Sequence, residues 1–262
     1  MLRRRPPPRP SPSILPTSFA DEGLVLRRRT FGDADRILVV LTREHGKLSV
    51  LARGVRRAKA RNGAGLDLLA RSQMMLIPGR NLAVLAQARQ LGGSPAPNDL
   101  VRLACAGVLA ELVDATLEDG HPDARVYDIL AEAAARLASP ARDPRLDLAL
   151  AAFSLAAVGG YLPDLNRCVG CGEALQDRVG MFVPNLGGVV QGGCASGPDL
   201  AVPCAAVTLR VLRRMAAADE ATVVRLRWTA DLRDQVETIL VAHLEHHLDR
   251  PLKSARVLAE IR

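Results

Sequence analysis

Five short β-type runs between residues 23 and 92 constrain most strongly what this chain can fold into. In chain order they are GLVLRRR, RILVVLT, KLSVLARG, SQMMLIP and LAVLAQARQL. Turn-forming residues separate them, as in the stretches 30–33, 44–46 and 78–81. Five short strands in about 70 residues predict a small closed or partly open β-barrel, such as the oligonucleotide-binding (OB) fold.

Beyond residue 98 the hydrophobic period becomes that of an α-helix. Asp99, Asp123 and Asp143 offer capping side chains before LVRLACAGVLAELVDATL, ARVYDILAEAAARLA and RLDLALAAFSLAAVGGYL. Two more helical segments, AAVTLRVLRRMAAA and TADLRDQVETILVAHLEHHL, follow a cysteine-containing stretch. The sequence therefore predicts an all-α domain into which the cysteine segment is inserted.

The predicted fold class is α+β and multidomain, with an N-terminal OB-fold β-barrel and an all-α domain that carries a zinc-finger-like Cys insertion. We assign residues 1–20 to a disordered Arg/Pro-rich tail, because MLRRRPPPRPSPSILPTSFA cannot build a packed core. Residues 21–92 are assigned to the OB-fold domain and residues 93–262 to the helical domain. The Cys finger is expected at about residues 166–204.

Charge is distributed unevenly along the chain. Residues 1–92 contain 18 Lys and Arg against 6 Asp and Glu, whereas residues 93–262 contain 17 against 22. A basic segment of this kind is typical of polyanion binding, most often to nucleic acid, although a merely solvated Arg-rich surface remains an alternative. The candidate phosphate-binding residues are Arg27, Arg28, Arg36, Lys47, Arg53, Arg56, Arg57, Lys59 and Arg61.

Aromatic side chains for base stacking are scarce in the predicted barrel. Phe31 is the only Phe, Tyr or Trp in residues 23–92, where Arg27 and Arg29 are expected on one strand face and Arg28 on the other. This composition favours contacts to the phosphate backbone over tight stacking on bases. Binding of that kind is compatible with annealing of strands.

The cysteine segment, RCVGCGEALQDRVGMFVPNLGGVVQGGC, reads as an incomplete zinc site. Cys168 and Cys171 form one C-x-x-C knuckle, but the second knuckle has Gln191 where a first cysteine is expected before Cys194. A glutamine amide is a poor zinc ligand. Three hypotheses remain open: one zinc ion with Cys204 as the fourth ligand, another zinc arrangement such as one completed by water, and a degenerate finger without metal.

Several function classes are disfavoured by the sequence. The odd number of cysteines, five, does not suggest a disulfide framework. No apolar run reaches the roughly 18 residues of a membrane span, so we expect a cytosolic protein. There is no Gly-rich phosphate loop, and Asp33 and Asp35 are expected to cap a turn rather than to catalyse a reaction. The sequence therefore predicts no catalytic residues and no enzyme.

Three stretches together resemble the bacterial RecO recombination mediator family. They are GLVLRRRTFGDADRILVVLTREHGKLSVLARGVRRAKAR, GGYLPDLNRCVGCG and HLDRPLKSARVL, and the resemblance covers roughly residue 23 to the C-terminus. It implies an OB barrel, a central helical domain and an embedded zinc finger. It also implies a DNA repair protein of the bacterial cytoplasm, associated with the nucleoid, that binds single- and double-stranded DNA and anneals complementary strands.

The resemblance further implies protein partners. These are the acidic C-terminal tail of single-strand-binding protein (SSB), RecR, and the RecA recombinase that family members help to load onto SSB-coated DNA. A helical-domain pocket would receive the SSB tail, with candidate cations at Arg102, Arg125, Arg136, Arg210, Arg213 and Arg214.

Two other kinds of protein remain open at the level of sequence. One is a basic nucleic-acid-binding regulator whose finger contacts another protein. The other is a cytosolic redox or metal sensor that uses Cys168 and Cys171. Neither alternative predicts accelerated pairing of complementary strands.

Overall fold

A computed structural model of the chain describes residues 18–57, 65–93, 98–176, 179–194 and 201–261. Most of the predicted N-terminal tail, residues 1–17, lies outside the described residues. The same holds for two of the candidate phosphate-binding residues, Lys59 and Arg61.

The N-terminal half folds as a closed five-stranded barrel with the strand order β1-β2-β3-β5-β4. Its strands are β1 (Phe19–Phe31), β2 (Asp35–Thr42), β3 (Gly46–Ala52), β4 (Arg71–Ile77) and β5 (Ala83–Gln90). The 13-residue β1 closes the barrel because its first half pairs with β4 while it also pairs with β2. Strands β3 and β5 pair in parallel, and the other neighbouring strands of the barrel are antiparallel. The predicted OB-like barrel is confirmed.

The second half is helical. Its helices are α1 (Leu100–Thr116), α2 (Ala124–Leu137), α3 (Pro144–Gly159), α4 (Ala206–Ala216), α5 (Glu220–Arg225), α6 (Ala230–His247) and α7 (Lys253–Glu260). The side chains of Asp99, Asp123 and Asp143 accept hydrogen bonds from first-turn amides of α1, α2 and α3, as the sequence predicted. The sequence pattern did not predict the two short helices α5 and α7.

The alternation of side chains along β1 and β2 serves two hydrophobic cores at once. Val25 and Leu38 point into the barrel interior, where they pack with the buried residues of β3 and β4. Leu24, Val39 and Leu41 point outward and belong to the core built by the helices. The barrel is therefore packed directly against the helical half.

Lys47 in β3 reinforces the contact between barrel and helices. Its side chain is buried, and its ammonium group donates to the carbonyl oxygen of Asp114 in α1 at 2.7 Å. Carboxylate oxygens of Asp114 and Asp119 lie 3.3 Å away. At the same boundary Arg43 pairs with Asp128 in α2. These contacts position the barrel relative to α1 and α2.

Arg102 is a buried arginine that fastens the end of α2 to α1. Its guanidinium group donates to the carbonyl oxygens of Leu137, Pro140 and Arg142 at 3.2, 3.2 and 2.6 Å. The same group pairs with Asp99 at 2.8 Å. Burial of a charge is compensated here by a full set of acceptors.

We predict that Arg102→Ala lowers the free energy of unfolding by about 3 kcal/mol, because it removes a buried side chain and leaves the carboxylate of Asp99 and three carbonyl oxygens without their donor. Chemical denaturation measures this loss. Arg125→Ala is the matched control: its side chain is 70% exposed and pairs with Asp123, so it should cost much less than Arg102→Ala. Equal losses in the two variants would contradict the structural role of Arg102.

Helix α7 begins within the motif RPLKS, residues 250–254, which belongs to the stretch HLDRPLKSARVL. Glu111 in α1 accepts hydrogen bonds from the backbone amides of Lys253 and Ser254 at 3.1 and 2.9 Å, and Glu245 accepts from the amide of Leu252 at 2.7 Å. Although burial opposes ionisation of Glu111, the amides of Ser254 and Lys253 hold the pKa of its carboxyl below the ordinary value. The motif thus has a structural role at the start of α7.

The cysteine segment forms a small three-stranded sheet with the order β7-β6-β8. Its strands are β6 (Gly180–Val183), β7 (Gly188–Gln191) and β8 (Val202–Cys204). Arg213 in α4 donates to the carbonyl oxygens of Leu165 and Leu175 at 2.7 and 3.1 Å, which holds the segment against the helices. Among the described residues, no helix has the length and hydropathy required to cross a bilayer.

Candidate nucleic-acid interface and cysteine cluster

The β1–β2 hairpin extends past the hydrophobic core of the barrel. Leu26 is the last buried residue of β1 and Ile37 the first of β2, yet the two strands remain paired as far as Phe31 and Asp35. All five residues of β1 from Arg27 to Phe31 are exposed. Gly32 begins the turn with a φ of +57°, a conformation that favours glycine. The hairpin therefore presents side chains on both faces to solvent.

Strand pairing fixes which hairpin side chains share a face. Arg27, Arg29 and Phe31 lie opposite Val39, Ile37 and Asp35, whereas Arg28 lies opposite Leu38 on the other face. Arg27 is 3.6 Å from a carboxylate oxygen of Asp114, and Arg28 forms an ion pair with Asp67. The charges of these two predicted cations are partly neutralised within the chain.

The start of the β3–β4 loop is bonded to the hairpin turn. The backbone amide of Gly54 donates to a carboxylate oxygen of Asp35 at 2.7 Å. The guanidinium group of Arg56 donates to the carbonyl oxygens of Asp33 and Gly32 at 3.0 and 3.3 Å, and its amide to Ala34 at 3.0 Å. Asp35 thus caps the loop, and Arg56 fixes the shape of the turn while its charge stays exposed.

Four further arginines surround this turn. Arg29, Arg53 and Arg57 are exposed, and Arg36 is partly buried and pairs with Ala52 of β3. Within the ranges that the structure describes, none of the four has a carboxylate partner. With Arg56 they form a surface that we call the basic end of the barrel: Arg29, Arg36, Arg53, Arg56 and Arg57. A polyanion is the natural counterpart of such a surface.

The structure separates the sequence-predicted cations into three groups. Arg36, Arg53, Arg56 and Arg57 come together at the basic end. Arg27 and Arg28 lie beside it in ion pairs, and Lys47 is buried at the contact with α1, where Asp114 and Asp119 pair with its ammonium group. Arg29 was not among the predicted site residues. Alternation along the strand predicted only that Arg29 and Arg28 point to different faces of β1. The structure was needed to show that Arg29 is exposed.

Three cysteines of the predicted finger come together. The sulfur atoms of Cys168, Cys171 and Cys194 all lie within 4.8 Å of one another, and such a group can hold a metal ion. Both knuckles have tight backbone turns: the amide of Gly172 donates to the carbonyl of Cys168 at 2.8 Å, and that of Cys194 to Gln191 at 3.0 Å. The chain thus retains the loop geometry of both halves of a zinc site.

Gln191 lies next to these sulfur atoms. Its side-chain amide nitrogen lies 3.5 Å from the sulfur of Cys171, and its backbone nitrogen lies 3.5 Å from the sulfur of Cys168. An amide nitrogen carries N–H donors and offers no lone pair to a metal, and its oxygen is a much weaker zinc ligand than a thiolate. The residues present therefore fit three of the four positions of a zinc site.

The thiols of the cluster differ in acidity. Burial opposes ionisation of Cys168, but the backbone amides of Gln191, Cys171 and Gly170 and the Cys171 side chain donate to it, and its pKa falls to about 7. Hydrogen bonds to Cys171 and Cys168 raise the pKa of Cys194 to about 11. The cluster can thus hold a thiolate at Cys168 near neutral pH.

Cys204 does not join the cluster, and this corrects the hypothesis that it supplies the fourth ligand. It lies in β8, paired with Gly180 of β6, and its fully buried side chain belongs to the core of the helical half. Burial raises the pKa of its thiol to about 11. Pairing of β8 with β6 determines this position, which closeness in sequence to Cys194 did not reveal.

The comparisons with known proteins agree along nearly the whole chain. A family model described as "Recombination protein O N terminal" matches residues 17–93, and one described as "Recombination protein O C terminal" matches residues 97–256. "DNA repair protein RecO" of Symbiobacterium thermophilum is 34% identical over 249 residues, which cover 92% of this chain and 96% of that protein. The protein of the same name from Anaeromyxobacter dehalogenans strain 2CP-C is 35% identical over 244 residues, with 91% and 95% covered. These matches show that the chain belongs to the RecO family of DNA repair proteins.

Proposed function

We propose that this protein is a recombination mediator that makes and breaks no covalent bond. In this proposal it binds single- and double-stranded DNA, anneals complementary strands and assists the loading of recombinase onto SSB-coated DNA. The observation that carries it is the basic end of an OB-like barrel: five arginines near one hairpin turn, none of them with a carboxylate partner in the described ranges.

The chemistry of the basic end supports binding without sequence preference. Guanidinium groups that contact phosphates release condensed counterions, which favours binding irrespective of base sequence. The same neutralisation lowers the repulsion between two strands that approach each other, so it favours annealing. In this proposal the loop residues Lys59 and Arg61 extend the phosphate-binding surface, and residues 21–92 form the DNA-binding domain.

We assign the protein contacts to the helical domain, residues 93–262: the acidic tail of SSB, RecR and, through them, RecA. Several cations considered for the tail are engaged within the domain. Arg102 and Arg213 donate to backbone carbonyls, and Arg136 pairs with Glu132 and Glu220. We therefore leave these three out of the proposed docking site. Because the RecO family is one of DNA repair proteins, we propose that the protein works at the nucleoid, in the bacterial cytoplasm.

For the cysteine cluster we propose a structural zinc ion held by Cys168, Cys171 and Cys194. Its fourth coordination position lacks a strong protein ligand. When bound, the metal would cross-link the two knuckles of the segment and stabilise its fold. The three thiolates supply the strong ligands. Gln191 weakens the site relative to one with four cysteines.

We predict that the purified protein accelerates pairing of complementary oligonucleotides, both bare and coated with SSB, in a fluorescence-quenching assay. With an SSB that lacks its acidic tail, the stimulation on coated strands should disappear while that on bare strands remains. A basic regulator or a thiol sensor would accelerate neither. Absence of acceleration on bare strands, under conditions where the protein binds them, would refute the proposed function.

A further inference from the structure

We infer that Phe31 stacks on an unpaired base and thereby gives the basic end a preference for single strands over duplex. The inference rests on the proposed function, since it names a further contact of the same DNA-binding surface. Phosphate contacts alone provide no such discrimination between paired and unpaired bases.

The environment of Phe31 motivates this inference. Half of the residue is exposed, at 50%, and it belongs to neither hydrophobic core among the described residues. It is the last residue of β1, immediately before the turn at Gly32. Its ring therefore lies at the tip of the hairpin, with Arg29 two residues away on the same face. A single exposed apolar residue needs no explanation in general, but an aromatic ring beside cationic side chains matches how single strands are bound.

The turn that carries Phe31 is held in place before any ligand arrives. Arg56 donates to the two carbonyl oxygens that directly follow Phe31 in the chain, those of Gly32 and Asp33. Asp35, the strand partner of Phe31, is bonded to Gly54. A ring on a preorganised turn loses little conformational entropy when a base stacks on it.

Arg29 stands next to Phe31 on the same face of the hairpin. Residues two apart on a strand are separated by roughly 7 Å, so a nucleotide whose base stacks on Phe31 can place a neighbouring phosphate near Arg29. Arg29 pairs with Ile37 of β2 and Phe31 pairs with Asp35, which confirms that they share this face. The pair combines a stacking platform with a phosphate contact, the two requirements of single-strand binding.

Stacking on Phe31 selects for unpaired DNA for a simple reason. In a duplex both faces of each base are covered by neighbouring bases, whereas in a flexible single strand a base face can be uncovered at small cost. One aromatic residue engages one base and leaves the adjacent bases free to pair. This arrangement is compatible with annealing, which a long series of stacked bases would oppose.

The test compares three ligands of equal length: a thymidine oligonucleotide, the same backbone with abasic sites, and a duplex. Phe31→Ala should weaken binding of the thymidine oligonucleotide about tenfold and leave the other two unchanged. Its salt dependence should equal that of the parent protein, because no cation is removed. Phe31→Trp should retain the affinity, and its fluorescence should be quenched by the thymidine oligonucleotide but not by the abasic one.

Two controls make the outcomes distinct. Val224→Ala removes another exposed apolar side chain, in α5, and should change no affinity; the only native tryptophan, Trp228, provides the fluorescence baseline of the parent protein. Arg53→Glu with Arg57→Glu should weaken all three ligands. If it does not, the proposed DNA surface itself is wrong. If it does, but Phe31→Ala changes nothing or weakens the three ligands equally, the stacking role of Phe31 is overturned.

Discussion

Arg53→Glu combined with Arg57→Glu should lower the affinity for DNA about 100-fold at low salt. Both side chains are exposed at the basic end, and neither has an ion-pair partner in the described ranges. Removal of one charge-assisted hydrogen bond costs on the order of tenfold in affinity, so two give about 100-fold. Because the bonds are to phosphates, the decrease should be similar for different base sequences.

The dependence on salt provides the second readout of this variant. Removing one arginine that binds a phosphate should make the slope of log affinity against log salt concentration shallower by about 0.9 on duplex. Replacing both arginines therefore predicts a change of about 1.8 in that slope. Fluorescence anisotropy over a series of salt concentrations measures both the affinity and the slope.

Arg225→Glu with Arg227→Glu is the charge-matched control. These two exposed arginines belong to α5 and the residues that follow it in the helical half, so the variant has the same net charge change at another surface. Its DNA affinity should fall only slightly, because exposed charges far from the bound DNA are largely screened by salt. If the affinity of both double variants fell equally, net charge and not the basic end would account for DNA binding.

Most of the barrel could be predicted from the sequence because its determinants are local. The alternating apolar residues of each strand and turn residues such as Gly32 lie within the segments that they shape, so they are visible in the sequence. Helices α1 to α3 likewise begin at aspartates that are visible in the sequence. Helix α7 is different: Glu111, which binds its first amides, is distant in sequence.

The residues whose surroundings could not be read from the sequence depend on partners that are distant in the chain. Lys47 looks like any basic strand residue, but it is buried against Asp114, 67 residues away. Arg29 could be identified only once the position of α1 against the barrel was known. Cys204 is close in sequence to Cys194, yet pairing of β8 with β6 directs it into the core. Local pattern therefore identified the elements, and tertiary contacts determined which side chains remain available.

Gln191→Cys should convert the cysteine cluster into a strong zinc site. The backbone nitrogen of Gln191 lies 3.5 Å from the sulfur of Cys168, and its amide reaches Cys171, so a thiol at this position would lie beside the other three sulfur atoms. Loss of a side chain that hydrogen-bonds to a metal ligand, without binding the metal itself, already lowers metal affinity about 10- to 100-fold. Addition of a fourth thiolate should therefore tighten zinc binding by at least about 100-fold.

The variant should be purified with about one zinc ion per chain, measured by mass spectrometry of the metal content. At a zinc concentration 100 times its dissociation constant, the ion should add about 2.7 kcal/mol to the free energy of unfolding, an increase that chelation removes. Gln191→Ser removes the amide without adding a thiolate and should show neither effect. Cys204→Ser in the Gln191→Cys background should leave the zinc content unchanged, because the sulfur of Cys204 is not part of the group formed by Cys168, Cys171 and Cys194. Zinc affinity that stays at the parental level in Gln191→Cys would mean that the second knuckle does not direct position 191 toward Cys168, Cys171 and Cys194.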